Sequence, residues 1–190
     1  SGLVSATTRQ VAIGSASGQS VNGTDNVALG SNTGRTVTGN NNTAIANNAG
    51  TTVTGNDNTA LGRNAGQTIS GSDNIGIGRN ASQNVTGTDN LALVRNAGQN
   101  VSGINNIGIG LNAGQNTTGN DNIGLGRNSG LTVNGNTNTA LGFDSGKTVN
   151  GNTNLSLGSH SGNLVRGDNN AGLGHSSGRN VEGNSNFSGG

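Results

Sequence analysis

The sequence has no cysteine, proline, methionine, tryptophan or tyrosine, and its only phenylalanines are Phe143 and Phe187. With so few aromatic side chains and an apolar fraction of 27%, a conventional globular core is excluded. Disorder also fits poorly, because disordered chains are rich in charge and proline, whereas charged residues make up only 9% here. The absence of cysteine excludes disulfide stabilisation and fits a surface-exposed protein as well as a cytosolic one.

Charge and long apolar runs are scarce as well. The formal net charge of +1 gives no reason to expect nucleic acid or an acidic membrane surface as a partner. No run approaches the length of a membrane span, and the sequence does not open with a charged region followed by an apolar one. We therefore expect any export signal or membrane anchor to lie in segments outside this sequence.

What the sequence does contain is a 16-residue repeat. Eleven consecutive units run without insertion or deletion from Ala12, which we call position 1, to Phe187. Position 10 is β-branched in every unit, position 12 is always glycine, and position 15 is always asparagine. Position 2 is always isoleucine or leucine: Ile13, Leu29, Ile45, Leu61, Ile77, Leu93, Ile109, Leu125, Leu141, Leu157 and Leu173.

Each unit predicts two short strands separated by turns. Asn58 to Gly62 and Gln67 to Ser70 have strand character, and the glycine and asparagine corners between such segments tolerate positive φ. The glycine density excludes a helix. The repeat therefore predicts an all-β parallel β-solenoid, about 50 Å long at the usual strand spacing. We expect the position 2 column to form its structural core and the small position 1 column, such as Ala28, to face outward.

A coil this thin predicts association between chains. Each coil offers only two or three interior side chains larger than alanine, and their burial falls short of the conformational entropy lost by ordering a whole repeat unit. A further interface would stabilise the rod. We expect the small side chains at position 1 to allow a neighbouring chain to approach closely.

The strand motif supports a family resemblance. Asn-Val-Ala-Leu-Gly at Asn26 to Gly30, Asn-Thr-Ala-Leu-Gly at Asn58 to Gly62 and Asn-Ile-Gly-Ile-Gly at Asn74 to Gly78 resemble the Asn-Ser-Val-Ala-Ile-Gly motif of YadA-like head domains of trimeric autotransporter adhesins. The resemblance covers Ala12 to Phe187. It departs from the commonest heads in that their repeats are often shorter, and this chain adds a Gly-x-x-Val-Thr-Gly segment.

The resemblance implies a left-handed parallel β-roll packed as a homotrimer. It also implies a bacterial cell-surface adhesin, anchored in the outer membrane through segments outside this sequence, that binds host extracellular matrix proteins or cell-surface glycans. Residues 12–187 would form the head, residues 1–11 an N-terminal cap or degenerate coil, and residues 188–190 a tail towards a neck or stalk. We expect no enzyme activity, no cofactor and no metal site.

Two charged columns offer the clearest candidate site. Of ten pairs joining position 14 to position 4 of the next unit, five begin with aspartate, and all four arginines fall among these five. By chance this would happen in 5 of 210 arrangements, about 2%. The arginines are either a basic stripe for a polyanion or, as we favour, partners of the aspartates within or between chains. The pairs are Asp57 with Arg63, Asp73 with Arg79, Asp89 with Arg95, and Asp121 with Arg127.

Other functions fit less well. An ice-binding or purely structural β-solenoid, such as a phage fibre shaft, is the main alternative, although positions 9 and 11 mix threonine, asparagine, serine and charge. A β-helix polysaccharide lyase or hydrolase would have wider, irregular coils. His160 and His175 lack a third metal ligand nearby in the repeat, and no nucleophile, base and acid can be assembled. The atypical residues of the last units predict a cap or a binding patch: Phe143, Leu164, Arg166, Glu182 and Phe187.

Overall fold

The computed structural model describes residues 3–5 and 9–190, which form a parallel β-solenoid of about eleven 16-residue turns built from two sheets. The 13-stranded sheet contains β1 Leu3–Ser5, β2 Gln10–Ile13, β4 Val27–Leu29, β6 Thr43–Ile45, β8 Thr59–Leu61, β10 Ile75–Ile77, β12 Leu91–Leu93, β14 Ile107–Ile109, β16 Ile123–Leu125, β18 Thr139–Leu141, β20 Leu155–Leu157, β22 Ala171–Leu173 and β24 Phe187–Gly189. The 11-stranded sheet contains β3 Ser20–Asn22, β5 Thr36–Thr38, β7 Thr52–Thr54, β9 Thr68–Ser70, β11 Asn84–Thr86, β13 Asn100–Ser102, β15 Asn116–Thr118, β17 Thr132–Asn134, β19 Thr148–Asn150, β21 Leu164–Arg166 and β23 Asn180–Glu182.

The pairing register repeats without a slip. From β2 onward, each strand pairs in parallel with the equivalent strand of the next repeat unit, so that Ile75 lies beside Leu91 and Val85 beside Val101. Like residues therefore stack on like residues along both sheets. This confirms the predicted all-β parallel solenoid and the predicted length of its coil.

The two ends of the rod differ from its middle. The predicted cap, residues 1–11, lies partly outside the described residues, but β1 pairs antiparallel with β2 and so covers the edge of the first coil. A covered edge leaves fewer unpaired backbone groups for other chains to bind. At the other end, β24 extends into the predicted tail, and the Gly190 amide donates to the Leu173 carbonyl at 3.1 Å.

The interior is narrow and filled by four columns. In the fourth coil these are Ala60 at position 1, Ala65 at position 6, Ile69 at position 10 and Asn74 at position 15, all of them buried. The position 6 column, alanine, serine or threonine in every unit, was not singled out in the sequence. The core thus combines two small columns with one β-branched column and one amide column.

The predicted structural core at position 2 is wrong. Its side chains point away from the interior, with 60% of Ile13, 40% of Leu61, 38% of Ile77 and 45% of Leu157 exposed. The other seven are half-buried: Leu29, Ile45, Leu93, Ile109, Leu125, Leu141 and Leu173. The small position 1 column, expected outside, lies inside. The alternation of side chains between the two sides of the strand was predicted correctly, but the inward and outward positions were exchanged.

The distance between the two walls of the coil explains the inversion. A Cβ atom added at Gly66, position 7, would lie 2.8 Å from the Cβ of Ala60 at position 1. The same distance separates a Cβ at Gly34 from Ala28. Real Cβ atoms do not approach so closely, so the space between positions 1 and 7 holds one methyl group. Leucine and isoleucine therefore fit only on the outer side of this sheet.

The fifth coil has glycine at position 1 and the larger side chain at position 7, the reverse of the fourth coil, and so offers a test of this packing. There position 7 is Ser82 and position 1 is Gly76, where an added Cβ would meet the Ser82 Cβ at 2.7 Å. Gly76→Ala should lower the free energy of unfolding by about 2 kcal/mol through overpacking. Adding Ser82→Gly should restore it, because the pair then matches Ala60 and Gly66. Urea denaturation of both variants checks this, and a double variant as unstable as Gly76→Ala would contradict it.

Buried asparagines at position 15 hold successive coils together. The Asn74 side-chain amide donates to Asn58 Oδ1 at 3.1 Å and to the Gly87 carbonyl at 2.8 Å. Its own Oδ1 accepts the backbone amide of Asn90 at 3.1 Å and the side-chain amide of Asn90 at 2.9 Å. Within residues 9–190, no buried side-chain nitrogen or oxygen lacks a partner. The ladder satisfies turn backbone that the sheets leave free.

Candidate interaction surfaces

One side of the rod is apolar. We call the outward positions 16 and 2 of the 13-stranded sheet the apolar face. Position 2 is entirely isoleucine or leucine, and the only polar residues at position 16 are Thr43, Thr59 and Thr139. Position 16 comprises Val27, Thr43, Thr59, Ile75, Leu91, Ile107, Ile123, Thr139, Leu155, Ala171 and Phe187. Every member of both columns is half-buried or exposed.

The extent of the apolar face is large for an isolated chain. Eleven strands at about 4.8 Å spacing and a width near 10 Å give a projected area on the order of 500 Å². Monomeric soluble proteins rarely expose contiguous apolar patches larger than a few hundred Å². The largest apolar patch on a monomer is typically about 300 to 600 Å² and often functional, so the apolar face is a candidate surface for contact with another molecule.

The opposite side is polar and uniform. We call the outward positions 9 and 11 of the 11-stranded sheet the polar face. From Ser20 to Asn150 every one of its residues is serine, threonine or asparagine, and all are exposed. Side-chain amides join Asn84 to Asn100 and Asn100 to Asn116, both at 2.9 Å. The charge that the sequence showed in these columns is confined to β21 and β23, where Arg166 and Glu182 pair at 3.1 Å.

The two sets of turns form opposite edges of the rod. Positions 3 to 5 form what we call the arginine edge, and positions 12 to 15 the aspartate edge, whereas position 8 follows the buried positions 6 and 7 and adjoins the polar face. A strand of the 13-stranded sheet connects the aspartate edge to the arginine edge in each coil, as β8 does between Asp57 and Arg63. An extended chain of this length spans up to about 20 Å. The four arginines and the four aspartates of the candidate pairs are all exposed.

The two charged columns do not meet within one chain. In the described part of the chain, the ion pairs are Arg9 with Asp25 at 2.8 Å, Arg166 with Glu182 at 3.1 Å, and His160 with Asp144 at 3.7 Å. The separation of the edges explains why no candidate arginine pairs with its aspartate here. Pairing within the chain is thus excluded, and pairing between chains stays a prediction.

The alternative of a basic stripe gives a direct prediction. If the arginines face aspartates of a neighbouring chain, Arg79→Ala combined with Arg95→Ala should elute from a heparin column at the same salt concentration as the unmodified protein. Compensated charges offer little to a polyanion. Markedly earlier elution of the variant would instead support the basic stripe.

Aromatic and charged side chains cluster on the arginine edge near its C-terminal end. The Arg127 guanidinium carbon lies 4.3 Å from the ring centroid of Phe143, a cation–π contact. The Phe143 and His160 ring centroids are 5.0 Å apart with perpendicular planes, and His175 follows at 5.8 Å. Of the five atypical residues, only Phe143 belongs to this cluster, and Phe187 lies on the apolar face with 72% exposed.

Coil stacking also brings a serine, a histidine and an aspartate together, which the sequence analysis missed. Ser159 Oγ lies 2.9 Å from His160 Nδ1, and Asp144 Oδ2 lies 3.7 Å from His160 Nε2. The latter distance is too long for a hydrogen bond. The His160 and Ser161 amides donate to the Phe143 and Gly158 carbonyls, so neither is free to bind an oxyanion. The geometry does not assemble a hydrolytic site.

Asp144 instead ends a second amide ladder at position 5. The side-chain amides of this column donate one coil forward, and Asn128 donates to Asp144 Oδ1 at 2.8 Å. A carboxylate has no proton to pass on, so it suits the last acceptor of the series. In residues 3–5 and 9–190, no group of three histidine, cysteine, aspartate or glutamate side chains could hold a metal ion.

Comparisons with protein-family profiles, curated proteins and solved structures find no match to this chain. Across the described residues, no helix has the length and apolar character needed to cross a membrane. The two faces and the two edges of the rod are therefore the features of this chain that bear on its function.

Proposed function

We propose that this chain is the head of a bacterial surface adhesin, a left-handed β-roll that associates as a homotrimer. The observation that carries the proposal is the contrast between the two faces. The apolar face would turn towards the shared axis, where burial of its leucine and isoleucine side chains stabilises the assembly. The polar face would remain outside along the whole rod.

The polar face suits contact with a large, extended ligand. Its hydroxyl and amide groups repeat at about 4.8 Å from coil to coil, so that one weak contact recurs many times. Repeated weak contacts raise the overall affinity without a deep pocket. Host extracellular matrix proteins and cell-surface glycans are ligands of this kind. The motif resemblance supports the same partners and a location outside the outer membrane.

Binding to immobilised matrix proteins and glycans tests the proposal. Thr52→Lys, Thr68→Lys and Asn84→Lys together place three long charged side chains on the polar face. The matched control, Thr52→Ser, Thr68→Ser and Asn84→Thr, changes the same three positions but keeps short uncharged polar side chains there. Surface plasmon resonance should show at least a tenfold loss of affinity for the lysine variant and little change for the control. Equal binding by both variants, or no binding by the unmodified protein, would contradict the proposal.

The order of the polar face also favours a second function, ice binding. The array from Ser20 to Asn150 is uncharged, and both sheets keep one register. Such a regular set of hydroxyl and amide groups resembles a crystalline surface. An ice-recrystallisation assay separates the two functions. Ice binding requires inhibition by the unmodified protein and loss of inhibition in the polar-face lysine variant, whereas an adhesin leaves crystal growth unchanged.

A further inference from the structure

The charged residues of the two edges belong to the same strands. Asp57 and Arg63 flank β8, and Asp73 and Arg79 flank β10 in the same way. The remaining pairs, Asp89 with Arg95 and Asp121 with Arg127, flank β12 and β16. Each of these strands thus presents a negative charge at one edge of the rod and a positive charge at the other, at the same height.

Within a single chain, both columns stack like charges on one another. Arg63, Arg79 and Arg95 occupy three successive coils, about 4.8 Å apart along the rod, and their aspartates do the same on the other edge. Like charges placed directly opposite on neighbouring strands are destabilising. All of these side chains are exposed. An opposing column of opposite charge would relieve the repulsion.

Backbone conformation accounts for only part of the pattern. Position 14 adopts a left-handed conformation, with φ of 58° at Asp73 and 59° at Asn105, which favours both asparagine and aspartate. It does not explain why arginine occurs only across from aspartate. Where position 14 is Asn105, position 4 is Leu111 instead of arginine.

We infer that neighbouring chains pack parallel and at the same height around an axis along the rod, with Arg63, Arg79, Arg95 and Arg127 of one chain facing Asp57, Asp73, Asp89 and Asp121 of the next. This inference rests on the proposed association through the apolar face. In such a ring the arginine edge of each chain meets the aspartate edge of its neighbour. The partner is therefore a second copy of this chain, and both edges belong to the interface.

The order of charges along the rod selects one register. With no shift, all four arginines face an aspartate. A shift of one coil in one direction places Arg95 opposite Asn105 and Arg127 opposite Thr137. A shift in the other direction places Arg63 opposite Asn41 and Arg127 opposite Asn105. Either shift keeps two of the four pairs, so the columns specify the alignment of the chains.

The size of the apolar face supports a role for the edges. Its projected area, on the order of 500 Å², falls below the roughly 800 Å² per partner of a stable interface. Contact between the edges adds area on both sides of the face. The arginine and aspartate columns line those edges. These charged residues therefore lie where the additional contact must form.

Charge reversal tests the inference. Arg63→Glu, Arg79→Glu and Arg95→Glu make both edges acidic; Arg127 is left unchanged because it contacts Phe143. Sedimentation velocity should show that the unmodified protein is oligomeric, and that the variant associates about a hundredfold more weakly, since apposed like charges cost several kcal/mol. The control, Arg35→Glu, Lys147→Glu and Arg179→Glu at position 8, changes the net charge equally and should assemble normally. Circular dichroism checks folding of both.

A double-mutant cycle gives a second readout that does not depend on repulsion. The three arginines and the three aspartates Asp57, Asp73 and Asp89 are replaced by asparagine, separately and together, using a residue that both columns already contain. If the columns touch, the combined variant should associate no more weakly than either single set, and the association of all three variants should depend less on salt than that of the unmodified protein.

The outcomes separate this inference from the proposed function. A monomeric unmodified protein would overturn the association itself and the charge pairing with it. An oligomeric unmodified protein whose arginine-to-glutamate variant assembles equally well, or whose asparagine cycle is additive, would overturn the pairing alone and leave the adhesin proposal standing.

Discussion

Replacing Gly87 by alanine is expected to disrupt the solenoid at its middle, with a loss of more than about 4 kcal/mol in the free energy of unfolding. Gly87 has a φ of +132°, which side-chain-bearing residues rarely adopt, and an added Cβ would lie 1.9 Å from the Gly103 carbonyl oxygen of the next coil. That oxygen belongs to stacked backbone and cannot move aside without breaking the register. Urea denaturation followed by circular dichroism measures the effect.

The last coil supplies a matched control for this change. Gly183 occupies the same position 12 and has a φ of +97°, but a Cβ there would meet only Asn186 Nδ2, at 3.7 Å. Gly183→Ala should therefore cost only the backbone strain, about 1 kcal/mol. Equal losses for the two variants would mean that coil stacking does not restrict this column.

Removal of one buried amide should have the second largest effect. Asn74→Ala leaves the Gly87 carbonyl and the Asn90 backbone amide without the partners that Asn74 supplies. Each unsatisfied buried group costs about 1 to 3 kcal/mol, so we expect a total loss of about 4 kcal/mol. Thermal or urea denaturation of the variant measures it.

Asn186 provides the comparison for the amide ladder, because it is exposed and lies in the last repeat unit of this sequence. Its side chain donates to Asn170 Oδ1 at 2.9 Å, and no described residue donates a hydrogen bond to Asn186 Oδ1. Asn186→Ala should cost less than about 1.5 kcal/mol, the net contribution of an ordinary hydrogen bond. If Asn74→Ala costs no more than Asn186→Ala, the ladder does not stabilise the rod as described.

The sequence alone predicted the period and the two strands of each unit, because both follow from columns that repeat without insertion. It did not predict which side of the 13-stranded sheet faces inward. Alternation places Ala60 and Leu61 on opposite sides of the sheet, but it does not show which of these residues faces the interior. The deciding signal was Gly66, since a glycine facing position 1 indicates that two backbones touch there and leaves room for a methyl group only.

The surfaces were predictable to different degrees. The charged columns were visible in the sequence, but whether they pair within or between chains was not, because Asp57 and Arg63 are seen on opposite edges only once the strand between them is placed. The grouping of Asp144, Ser159 and His160 was not visible, because it requires residues about one repeat apart to stack in adjacent turns. Their proximity follows only once the register is known.

Sedimentation equilibrium of the unmodified protein tests most directly whether the apolar face is covered by copies of the same chain. If the apolar face is buried in a homotrimer, we expect a species with three times the 18.5 kDa mass of one chain. A single well-folded species of 18.5 kDa at every concentration would contradict it.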